Sequence, residues 1–357
     1  MKEGISFVVP VHNGAASIED AIAAIAAEVA ATNAGSAAVR PFEIIVVDDA
    51  SRDGSSAILQ RVGNIVRLRL IAGEGRGAGA AINTGIRAAR FPLIAQVDQD
   101  VVLKPGWLNA LAAELDDSSV GAAQGCYESD PCATFCARAM HLDLAQRYAA
   151  IDGDDTDHVC TGNSIYRADA LRRIGLFDES LGYGYDNDVS YRLLAAGYRL
   201  KLCRTARSVH RWREGLTGYL VQQYGFGYGR VDVVAKHPSR FAGDAVSPAP
   251  MMWHPIAFAL GLACLTLATL AAVAGSSWQA FAASGATLIA LLFAERLVAG
   301  IRAARRFRDP RALAFPVLHL ARDGAWVAAI AMWLSRFAAG RPGHPSHSMR
   351  PRPESGS

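Results

Sequence analysis

FEIIVVDDASRDG, residues 42–54, is an apolar run that stops on two adjacent acids. Its core residues Ile44, Ile45, Val46 and Val47 are consecutive rather than alternating, the pattern of a strand covered on both faces. Asp48 and Asp49 end the run, and residues 55–62 have helical spacing. The same grammar repeats on either side. Residues 5–9 form an apolar run closed by Pro10, after which Ser17 can cap a helix carrying Ile18, Ile22, Ile25 and Val29. Residues 66–71 form a third run, followed by a glycine loop and a helix over about 80–89. Residues 93–97 form a fourth and end at Asp98-Gln99-Asp100. Strands separated by helices over 120 residues predict a mostly parallel, doubly wound α/β sheet. Ligands of such sheets bind off the carboxyl ends of the strands. His12, Asp48, Asp49, Asp98 and Asp100 all fall there, so one crevice can collect them.

Composition divides the chain. Of 357 residues, 51% are hydrophobic and 19% charged, which excludes intrinsic disorder for most of its length. The net charge of +3 hides an asymmetry: residues 241–357 hold 11 arginines against five acids, whereas residues 1–240 are slightly acidic. The arginines flank long apolar runs, which points to membrane lipids and away from nucleic acid. Residues 255–275 are uncharged and long enough to span a bilayer, and residues 278–294 are a second uncharged run closing at Glu295-Arg296. Residues 313–334 are a third apolar stretch, broken by His319, Arg322 and Asp323; it reads as a span or as an interfacial helix. Between the second and third runs, residues 302–311 hold five arginines, which the positive-inside rule assigns to the cytoplasmic face. Two spans before that cluster return the chain to the side it left. The front region is then cytoplasmic too, in keeping with a first apolar run too short for an export signal. The expected organisation is residues 1–240 as a catalytic domain, 241–340 as a membrane-attachment region and 341–357 as a disordered basic tail. The expected location is the inner (plasma) membrane, with multi-pass attachment. Six cysteines without a C-x-x-C pair argue against a disulfide scaffold, and Cys126, Cys132 and Cys136 have no histidine at ligand spacing.

Several stretches can carry chemistry. Asp98-x-Asp100 directly after a strand offers two oxygen ligands to a hard cation such as Mg²⁺ or Mn²⁺; its bland reading is a solvated turn. Asp48 and Asp49 can bind a metal, accept hydrogen bonds from a base and a ribose, or cap a turn. Gly75-x-Gly77-x-x-Ala80 formally fits a dinucleotide fingerprint, but on the third strand rather than the first, and Arg76 is available there as a counter-charge to phosphate. Asp186 and Asp188 open an amphipathic helix, where acids favour the helix dipole and where a carboxylate can serve as a general base.

Taken in order, these stretches resemble family 2 glycosyltransferases of the GT-A fold, a doubly wound mixed sheet, over roughly residues 4–240. Residues 8–13, VVPVHN, resemble the opening V-I-P-x-Y-N, and residues 47–54 the nucleotide motif. Residues 77–86, with Asn83, resemble the G-x-x-x-A-x-N-x-G stretch, and Asp98-x-Asp100 the metal motif. Residues 162–179 resemble the segment leading to the acceptor, and Tyr185-Asp186-Asn187-Asp188 stands at the E-D-x-D position. Val209 and His210 match a later V-x-H, and residues 222–230 a Q-x-x-Y-G segment containing Gln223 and Arg230. The trailing apolar runs resemble membrane-attached members that build exopolysaccharides, succinoglycan-type enzymes among them, or glycolipids. His12 replaces the usual Tyr, Gly14 a common Glu, and Tyr185 the Glu of E-D.

The resemblance implies an inverting transferase that moves a sugar from a nucleotide-sugar donor to a hydroxyl of a lipid-linked or polysaccharide acceptor. It implies Pro10, Val11, His12, Asn13, Asp48, Asp49, Arg76, Asn83 and Asp98 around the nucleotide-sugar. It also implies Asp98, Asp100 and His210 around a divalent metal, Asp186 as the base, and Asp188, Gln223 and Arg230 toward acceptor or diphosphate. The competing expectation, drawn from the replaced Tyr and Glu, is a non-catalytic membrane adaptor with a decayed transferase domain.

Overall fold

The computed structural model describes residues 4–34 and 39–340. They form two compact units: residues 4–131 with 151–211, and residues 132–150 with 212–340.

The first unit is built on nine strands: β1 Ile5–Val11, β2 Phe42–Asp48, β3 Arg69–Ala72, β4 Leu93–Val97, β5 Val101–Leu103, β6 Val120–Ser129, β7 Asp155–Thr156, β8 Asn163–Arg167 and β9 Arg199–His210. Their order is β3-β2-β1-β4-β8-β6-β9-β5, with β7 paired to β9. The first four are parallel, as their apolar runs predict. Beyond β4 the sheet turns mixed: β8 runs antiparallel to both β4 and β6, and β5 antiparallel to β9. Consecutive apolar residues are needed because both faces are covered. Phe7, Val9 and Val11 pack with Ile18, Ile22 and Ile25 on one face. Val8 packs with Ile82, Ile86 and Ile94 on the other. Val11 stands opposite Asp48 in register, and the Asp49 N–H donates to the Val11 carbonyl at 2.7 Å, so β1 and β2 end level. That level edge is where the polar residues gather.

The second unit is helical: Phe135–Tyr148, Leu216–Lys236, Ala249–Val273, Gln279–Phe307 and Phe315–Ala338. Three segments are long and apolar enough to cross a membrane: Ala249–Val273, Gln279–Phe307 and Pro310–Ala338. The charges that interrupt the third are turned inward. Asp323 pairs with Arg296 of the preceding helix, both 1% exposed, and His319 Nε2 lies 3.3 Å from Asp143. A paired, buried charge costs far less in an apolar medium than one facing lipid.

Three boundaries differ from the sequence expectation. The third strand spans Arg69–Ala72 rather than residues 66–71. The second uncharged run is part of a longer helix, Gln279–Phe307, with Arg302, Arg305 and Arg306 in its last turns. The division between units does not fall at residue 240. Leu142 of Phe135–Tyr148 packs with Ala303, Ala312 and Phe315, and Arg138 pairs with Asp309 at 2.7 Å, so this early helix groups with the C-terminal ones. The expected tail, 341–357, lies outside the described residues.

Candidate active site

The loop after β1 is stitched to the loop after β2. Asn13 N–H donates to Ser51 Oγ (3.0 Å), Gly14 N–H to Ser55 Oγ (2.8 Å) and Ala15 N–H to Asp53 (2.9 Å). Arg52 N–H donates back to Asn13 Oδ1 at 2.8 Å. His12 Nδ1–H donates to the Asp49 carbonyl at 2.8 Å, which leaves Nε2 as acceptor for Asn13 Nδ2 at 3.1 Å. Gln99 clamps the same loop from β4, accepting from His12 N–H at 2.8 Å and donating to its carbonyl at 3.2 Å. His12 and Asn13 are thus exposed but fixed at the end of β1, beside Pro10 and Val11.

The two acids after β2 have different tasks. Asp48 accepts from Ser51 N–H at 3.0 Å and from the Ser56 hydroxyl. Burial raises its carboxyl pKa, but these hydrogen bonds outweigh burial and hold it below the usual range. Asp49 is 3% exposed and receives Arg76 N–H (3.1 Å) and Gly77 N–H (2.7 Å). Those two amides of the glycine loop are therefore spent on a protein carboxylate. This removes the dinucleotide-fingerprint reading, in which such amides face a pyrophosphate.

Asp100 and His210 come together from separate elements, and Asp98 lies within range of the Asp100 charge. Asp98 follows β4, Asp100 precedes β5, and Val101 of β5 faces His210 at the end of β9. His210 Nε2 lies 3.6 Å from Asp100 Oδ1. Gln96 donates to Asp98 Oδ1 at 2.8 Å. Burial first, then the negative charges of Asp100 and Asp186, push Asp98 up to about 7 despite the Gln96 hydrogen bond. Two carboxylates and an imidazole are a donor set that suits a hard dication.

Asp186 sits in the first turn of helix Tyr185–Ala195, partly exposed, with Oδ2 3.5 Å from His158 Nε2. Its backbone is held by Ser190, whose hydroxyl donates to the Asp186 carbonyl at 2.7 Å. Tyr185, where Glu is usual, packs edge-on against Phe177.

Four expected ligands are engaged elsewhere. Asn83 is 1% exposed and exchanges hydrogen bonds with Phe177 in both directions (2.8 and 2.9 Å) while donating to Glu179 at 2.8 Å. It braces the fold, buried and with both amide N–H groups spent on Phe177 and Glu179. Asp188 is fully buried and gripped by Arg192 one turn on, at 2.6 and 2.8 Å. Gln223 and Arg230 belong to the second unit. Gln223 accepts from Trp326 Nε1 at 3.3 Å, and Arg230 pairs with buried Asp244 at 3.2 Å. Arg76 stays half-exposed, with its guanidinium on Glu74 (2.7 Å) and Glu179 (2.9 Å).

Sequence reasoning gave no role to Gln96, Gln99 or His158, and quoted Gly162 and Glu179 only as the ends of a resembling stretch. Gln99 stood inside the quoted Asp98-x-Asp100 step, which was its only signal. Gln96 bonds Gly162 across 66 residues and His158 lies on an irregular loop, where no periodicity marks them.

The chain matches two family models: one described as Glycosyl transferase family 2, over residues 6–175, and one described as Glycosyl transferase family group 2, over residues 93–294. It is similar to a pre-mycofactocin glycosyltransferase of Mycobacterium tuberculosis, with 27% identity over 76% of this chain and 56% of that protein. It is also similar to the succinoglycan biosynthesis protein ExoO of Rhizobium meliloti, with 27% identity over 59% of this chain and 61% of that one. The chain thus spans little more than half the length of these curated relatives. Among solved structures, a mannosyltransferase from Pyrobaculum calidifontis, in complex with GDP-Man and Mn²⁺, aligns with a TM-score of 0.57 at 18% identity, covering 94% of this chain and 88% of that one. That likeness shows the fold, GT-A.

Proposed function

The chain belongs to glycosyl transferase family 2, and we propose that it moves a sugar from a nucleotide-diphospho-sugar to a hydroxyl of a lipid-linked or polysaccharide acceptor, with inversion, at the cytoplasmic face of a membrane. The observation that carries the reading is that Asp98, off the carboxyl end of β4, lies within reach of the charges of both Asp100 and Asp186, with His210 beside Asp100 at 3.6 Å. In this reading Pro10, Val11, His12, Asn13 and Asp48 line the nucleotide, while Asp49 braces the glycine loop beside it. Asp98, Asp100 and His210 would hold a divalent cation, which would supply positive charge against the negative charge that develops on the leaving diphosphate. Asp186 takes the acceptor hydroxyl proton as the new bond to the anomeric carbon forms and the bond to the diphosphate oxygen breaks. The electron pair of that bond leaves with the nucleoside diphosphate.

The P. calidifontis neighbour, solved with GDP-Man and Mn²⁺, supports this donor class and metal. ExoO supports a polysaccharide-building setting. Three helices of spanning length support membrane attachment, and arginines 302, 305, 306, 308 and 311 support the cytoplasmic side under the positive-inside rule. A panel of UDP-, GDP- and dTDP-sugars, scored by thermal shift of the full chain with Mn²⁺, tests the reading. One donor class should stabilise the protein only when Mn²⁺ is present. Stabilisation by none of them, or stabilisation indifferent to metal, would contradict it.

A further inference from the structure

We propose that His158, Cys160 and Asp186 form a second, softer metal site that takes Zn²⁺ and stops transfer by occupying the base. Their ligand atoms all lie within 4.8 Å of one another. His158 Nε2 and Asp186 Oδ2 are already 3.5 Å apart. A tetrahedral zinc with bonds of about 2.0–2.2 Å to nitrogen and oxygen holds such atoms roughly 3.4 Å apart. Only the Cys160 sulfur has to close in, by on the order of 1 Å for a Zn–S bond of about 2.3 Å.

The elements bearing the three ligands are fastened together. Val159 N–H, between His158 and Cys160, donates to Ser190 Oγ at 3.0 Å, and the same hydroxyl donates to the Asp186 carbonyl at 2.7 Å. Cys160 N–H is held by Gln124 Oε1 at 2.5 Å, and His158 N–H by Thr156 Oγ1 at 3.3 Å. The site is therefore preorganised rather than assembled from mobile loops. His158 is 4% exposed, while Cys160 and Asp186 are partly open, giving a cation an approach and a fourth position.

Donor chemistry separates this site from the one at Asp98, Asp100 and His210. A thiolate, an imidazole and one carboxylate select zinc and its neighbours, whereas carboxylate-rich sets suit Mn²⁺ and Mg²⁺. Binding requires the Cys160 thiol to release its proton to solvent. The lone pair that Asp186 would use on the acceptor proton then lies on the metal. That inhibitory consequence rests on Asp186 as the base; the site itself does not.

The test uses the full chain in detergent, with Mn²⁺ saturating, and Co²⁺ as a spectroscopic stand-in for Zn²⁺. A near-ultraviolet thiolate-to-cobalt band should appear and be displaced by Zn²⁺. Zn²⁺ should inhibit transfer. Cys160→Ser and Cys160→Ala should keep turnover without Zn²⁺, lose the band, and raise the half-inhibiting Zn²⁺ concentration at least about tenfold, the low end for damage to a metal site's surroundings. A band and an inhibition unchanged in both variants would overturn the proposal. A Cys160-dependent band without inhibition would uphold the site and remove Asp186 as the base.

Discussion

Gly162 lies so close against Asp98 that a Cβ on it would overlap the Asp98 carboxylate. Its φ of +88° is also one that favours glycine. The two are joined by backbone as well, Asp98 N–H donating to the Gly162 carbonyl at 3.2 Å. Gly162→Ala should therefore displace the Asp98 side chain and add about 1–2 kcal/mol of left-handed backbone strain. The expected outcome is a lowered unfolding temperature together with Mn²⁺-dependent donor binding weakened at least about tenfold. Unchanged metal affinity in a folded variant would separate Asp98 from the cation.

The position of Asp98 sets a pH dependence. Its carboxyl is raised from 3.8 to about 7, by burial first and by Asp100 and Asp186 after it. The sign follows from linkage: the cation-free fold favours the protonated form, so this contribution to stability is lost as pH rises from about 3.8 to about 7. A divalent cation competes with the same proton. Mn²⁺ affinity should rise about tenfold per pH unit below 7 and level off above it. Calorimetric titration across that window checks the slope, and a flat profile would contradict the assignment.

Asp188 is fully buried and bound to Arg192, so its substitution should be felt in stability rather than chemistry. Asp188→Asn leaves the partly exposed Arg192 without its counter-charge. The expected loss is roughly 2–3 kcal/mol, below the range for a fully buried pair because Arg192 keeps some solvent. Denaturant unfolding measures it. Transfer per folded molecule should fall far less than in a variant of the base.

Within the helical unit, Asp323→Ala strands Arg296, which is 1% exposed. Such orphaned buried charges cost about 3–5 kcal/mol. Thermal unfolding in detergent should show the loss, and adding Arg296→Met should recover most of it, since the pair itself carries little net stability. A double variant as unstable as the single one would mean that the pair does more than neutralise itself.

How much was legible in the sequence depended on where the information lay. β1, β2 and β4 could be read because each is a buried apolar run ended by a turn, and the acids after β2 and β4 came with them; β3, Arg69–Ala72, is largely exposed and starts three residues later than its apolar run. β8 and β9 could not: β8 is five residues, NSIYR, and β9 mixes basic and apolar residues along its length. Asp98 and Asp100 were read from their place after a strand and His210 from motif resemblance; the β5–β9 pairing sets His210 beside Asp100. Asn83 was misread as a ligand because its use is non-local, with Phe177 94 residues away. The unit boundary was misplaced because helix Phe135–Tyr148 has little amphipathic pattern to show what it packs on. Its partners, Ala303, Ala312 and Phe315, lie more than 150 residues further along.

The most direct measurement compares donor binding and transfer in Asp186→Asn. The amide keeps the shape of the carboxylate but cannot take a proton from the acceptor hydroxyl. A positioned base contributes about 10²–10⁴-fold to such a step. The account predicts that Mn²⁺ and donor affinities stay close to those of the unaltered protein while transfer falls at least about a hundredfold. Transfer near the unaltered rate, or a larger loss in Asp188→Asn than in Asp186→Asn at equal folded fraction, would contradict it.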